Sequence, residues 1–209
     1  MIHEVIAVSD VICPWCFIAK RNLDKALELT QGELALRIVW RPFELNPDMP
    51  PEGVDRREYR TRKFGSWEYS QKLDAQTVAA GELAGIVFRY DLMKRTPNTF
   101  EAHRLIWLAE REGVQDAVVE ALFRAYFIEG RDIGNGLELG NIARQAGLQA
   151  APGGAGFDEV RAQEGLAITS GITSVPTYLL DGTVLFSGAL KPEMMAARLR
   201  QAVLANAGK

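Results

Sequence analysis

Cys13 and Cys16 are the two cysteines of the chain, and they lie where an apolar segment passes into a helical pattern. Pro14 suits the first helical position, which needs no backbone N–H and matches the fixed φ of proline. This places Cys13 at the helix N-cap and Cys16 one turn further in. A sulfur at the N-cap can accept the N–H groups of Trp15 or Cys16 and lies at the positive end of the helix dipole. The spacing therefore favours a thiolate at Cys13.

A pair of thiols at the start of a helix is typical of a redox active site. In that chemistry the Cys13 thiolate attacks a disulfide, and Cys16 resolves the mixed disulfide that forms. A zinc site is disfavoured, because four ligands are usual and the chain adds only His3 and His103, which lack ligand spacing. Two inert core cysteines are also disfavoured, because the intervening proline and the helix start indicate chemistry. We therefore predict redox catalysis without a metal.

Composition and charge indicate which partners and which cellular location to expect for this chemistry. The 209 residues are 47% hydrophobic and 24% charged, with a net charge of −3, which is ordinary for a globular protein. This charge gives no reason to expect nucleic acid or a membrane surface as a partner, and no apolar run is long enough to span a bilayer. The first residues run into a strand pattern and not into a signal peptide. We therefore expect a cytoplasmic location, where a CxxC pair is more often catalytic than structural.

Apolar periodicity predicts α/β structure at both ends of the chain. Residues 5–8 form a continuous apolar run, typical of a central strand, and residues 34–40 alternate as a second strand. Towards the C-terminus, Asp181-Gly182 separates two apolar runs and is a strong hairpin signal. Pro176 cannot donate to a strand ladder, so we expect it at the start of its strand. The predicted order is βαβ at the beginning and αββα at the end.

The middle of the chain is predicted to be helical. Residues 47–53 form a loop rich in proline and glycine, and residues 55–156 then show helical patterns. We expect these residues to be an insertion between two halves of one α/β domain, residues 1–54 and 157–209. A basic cluster opens the insertion, but interleaved acidic residues favour a solvated helix face over a polyanion site. The basic cluster consists of Arg56, Arg57, Arg60, Arg62 and Lys63.

Four short motifs occur in order along the chain. They are SDVICPWC (residues 9–16), PFELNP (42–47), NTFEAHRL (98–105) and GITSVPT (171–177). Together they resemble the DsbA-type branch of the thioredoxin fold, and within it the FrnE-like cytosolic oxidoreductases, which are related to chromene-carboxylate isomerases and kappa-class glutathione transferases. The resemblance covers essentially the whole chain. It implies an α/β thioredoxin fold with a large all-helical insertion between the βαβ and αββα halves.

The resemblance also implies a role for each matching residue. Cys13 would be the nucleophile and Cys16 the resolving thiol, and Pro176 would be a cis-proline facing the disulfide. Val175 would offer backbone groups to an extended substrate. Thr177 would belong to the same substrate-binding segment.

Residues around the CxxC pair depart from the best-known relatives. Pro14 and Trp15 would tune the redox potential, but DsbA has His where this chain has Trp15, so we expect a less strongly oxidising couple. The buried acid of thioredoxins is absent, because Ala7 holds its position. Asp10 is a nearer candidate for proton transfer, with a loop or capping role as the alternative. His103 is either a half-buried packing residue or an imidazole that faces bound substrate.

These observations predict a thiol-disulfide oxidoreductase for protein or small-molecule disulfides, with no tightly bound cofactor and glutathione as a candidate co-substrate. A glutathione-dependent transferase or isomerase is the first alternative, although Cys16 argues against it because that chemistry needs one nucleophile. A chaperone-like binding module is the second alternative. The substrate, the direction of electron flow and the choice between monomer and homodimer stay open.

Overall fold

The computed structural model describes residues 2–149 and 153–207, so residues 150–152 of the predicted insertion lie outside the described residues. None of the helices in these ranges has the length and apolar character needed to cross a lipid bilayer. In chain order the elements are β1 (His3–Ser9), α1 (Pro14–Leu29), β2 (Leu36–Pro42), β3 (Val54–Asp55), α2 (Arg56–Phe64), α3 (Trp67–Leu83), β4 (Arg95–Thr96), α4 (Phe100–Arg111), α5 (Gln115–Phe127), α6 (Gly136–Gln145), α7 (Phe157–Thr169), β5 (Thr177–Leu180), β6 (Thr183–Ser187) and α8 (Pro192–Ala207).

One mixed sheet joins the two ends of the chain, in the strand order β2-β1-β5-β6. The central strand β1 runs parallel to β2 and antiparallel to β5, so that Ala7 lies between Trp40 and Tyr178. Asp181 and Gly182 connect β5 to β6 with φ values of 49° and 76°, as a two-residue hairpin turn requires. The predicted βαβ and αββα halves and their hairpin are thereby confirmed.

Alternate side chains of β1 are buried on opposite faces of the sheet. Val5 and Ala7 belong to the main core, which includes buried residues of α1 and α8. Val8 packs in a smaller cluster with Ala167 of α7 and Leu179. Because both faces are covered, β1 carries the continuous apolar run that marks a central strand. The carboxyl end of this fully covered strand leads directly to the two cysteines.

Among the described residues, the insertion contains one short strand pair besides its helices. Val54 pairs with Thr96 and Asp55 pairs with Arg95 in a two-residue antiparallel ladder, which corrects the expectation of an insertion made of helices alone. Gly53 allows the two segments to meet, because it has a φ of +67° and a Cβ at this position would lie 2.6 Å from the Thr96 carbonyl oxygen. A two-residue pairing between distant segments has no periodic signal in the sequence, so apolar patterning misses it.

Aromatic packing fixes the insertion to α1. Phe17, one residue after the second cysteine, stacks on Phe123 with ring centroids 5.0 Å apart and on Phe127 at 6.0 Å. The edge of Phe88 completes the contact at 6.1 Å. Since all three partners belong to the insertion, the helix that carries the cysteines is also the helix on which the insertion is packed.

We predict that Phe17→Ala lowers the free energy of unfolding by about 3–5 kcal/mol, because it leaves a cavity between α1 and α5. Denaturant unfolding followed by circular dichroism measures this loss. Leu29→Ala, at a half-exposed position on the same helix, is the control and should cost less than about 1 kcal/mol. A similar cost for both variants would contradict the role given to the aromatic contact.

Candidate active site

The turn between β1 and α1 places both cysteines at the start of a helix. Cys13 is the N-cap residue with extended backbone angles, and Pro14 occupies the first turn, as predicted. The Cys13 N–H donates to the Asp10 carbonyl at 3.0 Å, and the Cys16 N–H donates to the Cys13 carbonyl at 3.1 Å. These bonds fix the two sulfurs in the same first turn of α1.

The two thiols differ in exposure and in acidity. Cys13 retains 5% of its surface, whereas Cys16 retains none, and Trp15 between them is 41% exposed. Both cysteines are in the free thiol form. Burial raises the pKa of Cys16 well above its ordinary value, and Cys13 adds to this increase, while the Ser9 side chain and the Asp10 backbone oppose it. Cys16 is therefore a neutral thiol in the reduced protein.

The loop before β5 closes over Cys13. The Val175–Pro176 peptide bond is cis, and the Cys13 thiol contacts the Val175 carbonyl oxygen at 3.9 Å. No side-chain capping bond forms at Cys13, which corrects the expectation that its sulfur accepts an N–H of the helix. A thiol S–H is a donor, and a helix N-terminus offers only donors. Val175 supplies the acceptor instead.

The Thr177 side chain stabilises this loop through a hydrogen bond. Its side chain is buried, and its hydroxyl donates to the Ser174 carbonyl oxygen at 2.8 Å. The hydroxyl is therefore used in the turn that precedes the strand. The assignment of Thr177 to the substrate-binding segment stays a prediction.

Asp10 ties the cysteine turn to a neighbouring segment. Its side chain is fully buried, and its carboxylate accepts the N–H of Leu45 at 2.7 Å and that of Ile12 at 3.4 Å. Leu45 belongs to the segment that follows β2. Of the two roles weighed for Asp10, these contacts support the loop role directly.

His103 reaches the active site through Asp10. The imidazole projects from α4, and its Nε2 lies 3.5 Å from an Asp10 carboxylate oxygen, with only 2% of the side chain exposed. Nε2 makes no hydrogen bond within the described structure. The side chain is thus buried more completely than the half-buried packing residue that was expected, while a role towards bound substrate stays a prediction. Polar residues on a helix give no pattern that reveals such a buried position.

Glu44 is a second buried acidic residue, and the sequence patterns did not indicate its burial. Glu44 precedes Leu45, and its carboxylate pairs with Arg161 of α7, while its backbone N–H donates to Glu164 at 2.7 Å. Burial and the nearby Glu164 raise the pKa of Glu44 to about 7, although Arg161 and His103 act in the opposite direction. The motif PFELNP contained this residue, but a single glutamate in a loop carries no signal of burial.

Fold and site together define a thioredoxin-fold protein with a pair of thiols at the N-terminus of α1 and a helical insertion packed on that helix. In residues 2–149 and 153–207, no group of three or more His, Cys, Asp or Glu side chains could hold a metal ion. Residues 4–200 match the model of the DSBA-like thioredoxin domain. The chain belongs to this family of DsbA-like oxidoreductases.

Solved structures show the same architecture. A probable DsbA oxidoreductase from Streptomyces coelicolor is 32% identical, with a TM-score of 0.86 over 96% of this chain and 89% of that chain. A 2-hydroxychromene-2-carboxylate isomerase is 16% identical, with a TM-score of 0.69 over 98% of each chain. The cytosolic disulfide reductase DsbM from Pseudomonas aeruginosa is 20% identical, with a TM-score of 0.65 over 97% of this chain and 99% of that chain. The latter two likenesses concern the fold alone.

The exposure difference predicts selective alkylation. Under native conditions we expect iodoacetamide to modify Cys13 at least about ten times faster than Cys16, because Cys16 is a fully buried neutral thiol. Peptide mass spectrometry of quenched samples measures both rates. In a Cys13→Ser control, Cys16 should stay unmodified until the protein is denatured. Equal labelling of the two cysteines in the native protein would refute the assignment.

The raised pKa of Glu44 predicts a pH-dependent stability. Between about pH 4.5 and 7 the native carboxyl binds more protons than the unfolded one, so its contribution to the free energy of unfolding falls as the pH rises through this window. Glu44→Gln should therefore flatten the pH profile of stability, measured by urea unfolding. Glu28→Gln, at an exposed position of α1, should leave the profile unchanged. A profile in Glu44→Gln as steep as that of the unmodified protein would contradict the prediction.

Proposed function

We propose that this protein is a thiol-disulfide oxidoreductase in which Cys13 exchanges disulfides with a substrate and Cys16 releases the product. The observation that carries the proposal is the position of Cys13, at the N-cap of α1 and in contact with the Val175 carbonyl. An attacking thiolate is stabilised at a helix N-terminus. The second thiol lies within the same helical turn.

The reaction divides into two exchanges. First, the Cys13 thiolate attacks a substrate disulfide, so that one S–S bond forms at Cys13 and a substrate thiolate leaves. Second, Cys16 attacks the Cys13 sulfur, the mixed disulfide breaks, and the proton of Cys16 leaves on the second substrate thiol. The Ser9 side chain and the Asp10 backbone oppose the increase in the pKa of Cys16 that burial causes and so favour this deprotonation. This sequence reduces the substrate disulfide and leaves a Cys13–Cys16 disulfide, and the reverse sequence oxidises substrate thiols from that disulfide form.

The buried Cys16 distinguishes this proposal from its alternatives. A glutathione transferase or isomerase needs one nucleophile, whereas here a second thiol lies behind the first and is closed to solvent. A binding module has no need for either thiol. Membership of the DsbA-like family supports the oxidoreductase proposal.

The substrate and setting are part of the proposal. We infer a protein or small-molecule disulfide as substrate, with glutathione as co-substrate and no tightly bound cofactor. We place the protein in the cytoplasm as a monomer or homodimer, without nucleic acid or a membrane as partner. The fold neighbour from Pseudomonas aeruginosa bears the name of a cytosolic disulfide reductase, which is in keeping with this location.

The test is the redox equilibrium of Cys13 and Cys16 in glutathione buffers, followed by Trp15 fluorescence and checked by thiol trapping. We expect one two-electron transition between the values of about −120 mV for DsbA and about −270 mV for thioredoxin, since Trp15 replaces the histidine of DsbA. Cys16→Ser should abolish the transition and leave a stable glutathione adduct on Cys13. If the unmodified protein forms no internal disulfide and only binds glutathione, the transferase or isomerase alternative replaces this proposal.

A further inference from the structure

A pocket of about 100 Å³ opens beside the cysteine turn and is unused in the reaction described above. Ile12 and Pro14, the two neighbours of Cys13, form one wall. The opposite wall comes from the insertion and includes Arg56, Arg60 and Lys63 of the basic cluster. The lining contains no Asp or Glu side chain among the described residues. Cationic groups therefore line the same pocket as the two residues that flank Cys13.

The two arginines of this wall are incompletely neutralised. Arg56 and Arg60 share the Asp74 carboxylate, at 2.7 Å and 2.6 Å. Arg56 is 4% exposed, so the expectation of a solvated helix face is wrong for Arg56, whereas Arg57, Arg62 and Lys63 are exposed as expected. Burial and the charge of Arg56 lower the pKa of Arg60, while Asp74 raises it. The two guanidinium groups and the one carboxylate together carry one net positive charge behind the pocket.

Lys63 adds a second positive charge at the mouth of the pocket. Its Nζ donates to the Tyr59 hydroxyl at 2.6 Å and to the Asn46 side-chain oxygen at 3.0 Å, and both partners are neutral. No carboxylate in the described ranges forms an ion pair with it. The Asn46 Nδ2 is a buried donor without a hydrogen-bond partner in the structure. The pocket thus combines an ammonium group with an unused amide donor.

We propose that this pocket binds a carboxylate of the substrate, so that the preferred disulfides carry a carboxylate a few bonds from the sulfur. Lys63 and the Asn46 amide donate to the carboxylate, and the shared charge of Arg56 and Arg60 attracts it. The apolar walls of Ile12 and Pro14 contact the carbon chain between carboxylate and sulfur. This inference rests on the proposed function, because the disulfide must reach Cys13.

The test compares a charged and a neutral disulfide of similar size. In a Cys16→Ser background, Cys13 attacks 3,3′-dithiodipropionate or bis(2-hydroxyethyl) disulfide. One S–S bond breaks, another forms at Cys13, and one thiolate leaves. Intact-mass spectrometry gives the second-order rate constant for each probe. The ratio of the two constants, divided by the same ratio for free 2-mercaptoethanol, isolates the contribution of the protein.

We expect the normalised ratio to favour the carboxylate probe by at least about tenfold at low ionic strength, the effect of one charge-assisted hydrogen bond. It should decrease with added salt, because the pocket mouth is open to solvent. Lys63→Gln should lower it about tenfold. Arg62→Gln is the control, because it removes one positive charge from the adjacent exposed position of α2, outside the pocket. This variant should change the normalised ratio less than about twofold.

Each other outcome overturns the inference in a recognisable way. If both probes react and Lys63→Gln leaves the ratio unchanged, the pocket assignment is wrong and the proposed function stands. If Arg62→Gln and Lys63→Gln lower the ratio equally, general surface charge replaces the pocket as the cause. If Cys13 forms no adduct with either probe, the proposed function fails and the inference fails with it.

Discussion

The buried carboxylate of Asp10 is the constraint on which the active site depends. A carboxylate without solvent contact must find donors inside the protein, since its desolvation is otherwise too costly. Asp10 finds them in the cysteine turn and in the segment after β2, and it also meets the imidazole of His103. The cysteine turn and the segment after β2 are therefore held by hydrogen bonds to one side chain, and His103 of the insertion lies beside it.

The same arrangement explains why the two thiols behave differently. The sheet, α1 and the insertion enclose Cys16 completely, while Cys13 stays at the edge of this packed region. Burial then keeps Cys16 neutral, and the helix N-terminus acts on the sulfur at the N-cap. A difference of one helical turn is enough to separate the nucleophile from the resolving thiol. No charged side chain in direct contact with Cys16 is needed for this division.

Local signals made much of the fold predictable from the sequence. Pro14 marked the helix start, Asp181-Gly182 marked the hairpin, and the apolar run of β1 marked a strand covered on both faces. Each of these features is decided by the residue itself or by its near neighbours. The two-residue ladder of the insertion was missed, because its partners are some forty positions apart and carry no periodicity.

The polar part of the site could not be read in the same way. Sequence periodicity detects the apolar faces of helices and strands. The burial of Arg56 and of Glu44 therefore produced no periodic signal. The sequence left two roles open for His103, because it showed only which helical face the residue occupies. The contact between His103 and Asp10 depends on how α4 packs against the cysteine turn. A buried polar group is defined by its partner, and the partner is distant in sequence.

The stacking of Phe17 on the insertion has a consequence for how this chain can diversify. The aromatic contact begins one residue after Cys16, so the inserted helices and the sulfurs share a single rigid element. Any substitution that shifts the inserted helices also shifts the geometry of sulfur exchange. The packing of the insertion and the reactivity of the sulfurs are consequently not independent, because both depend on the same helix.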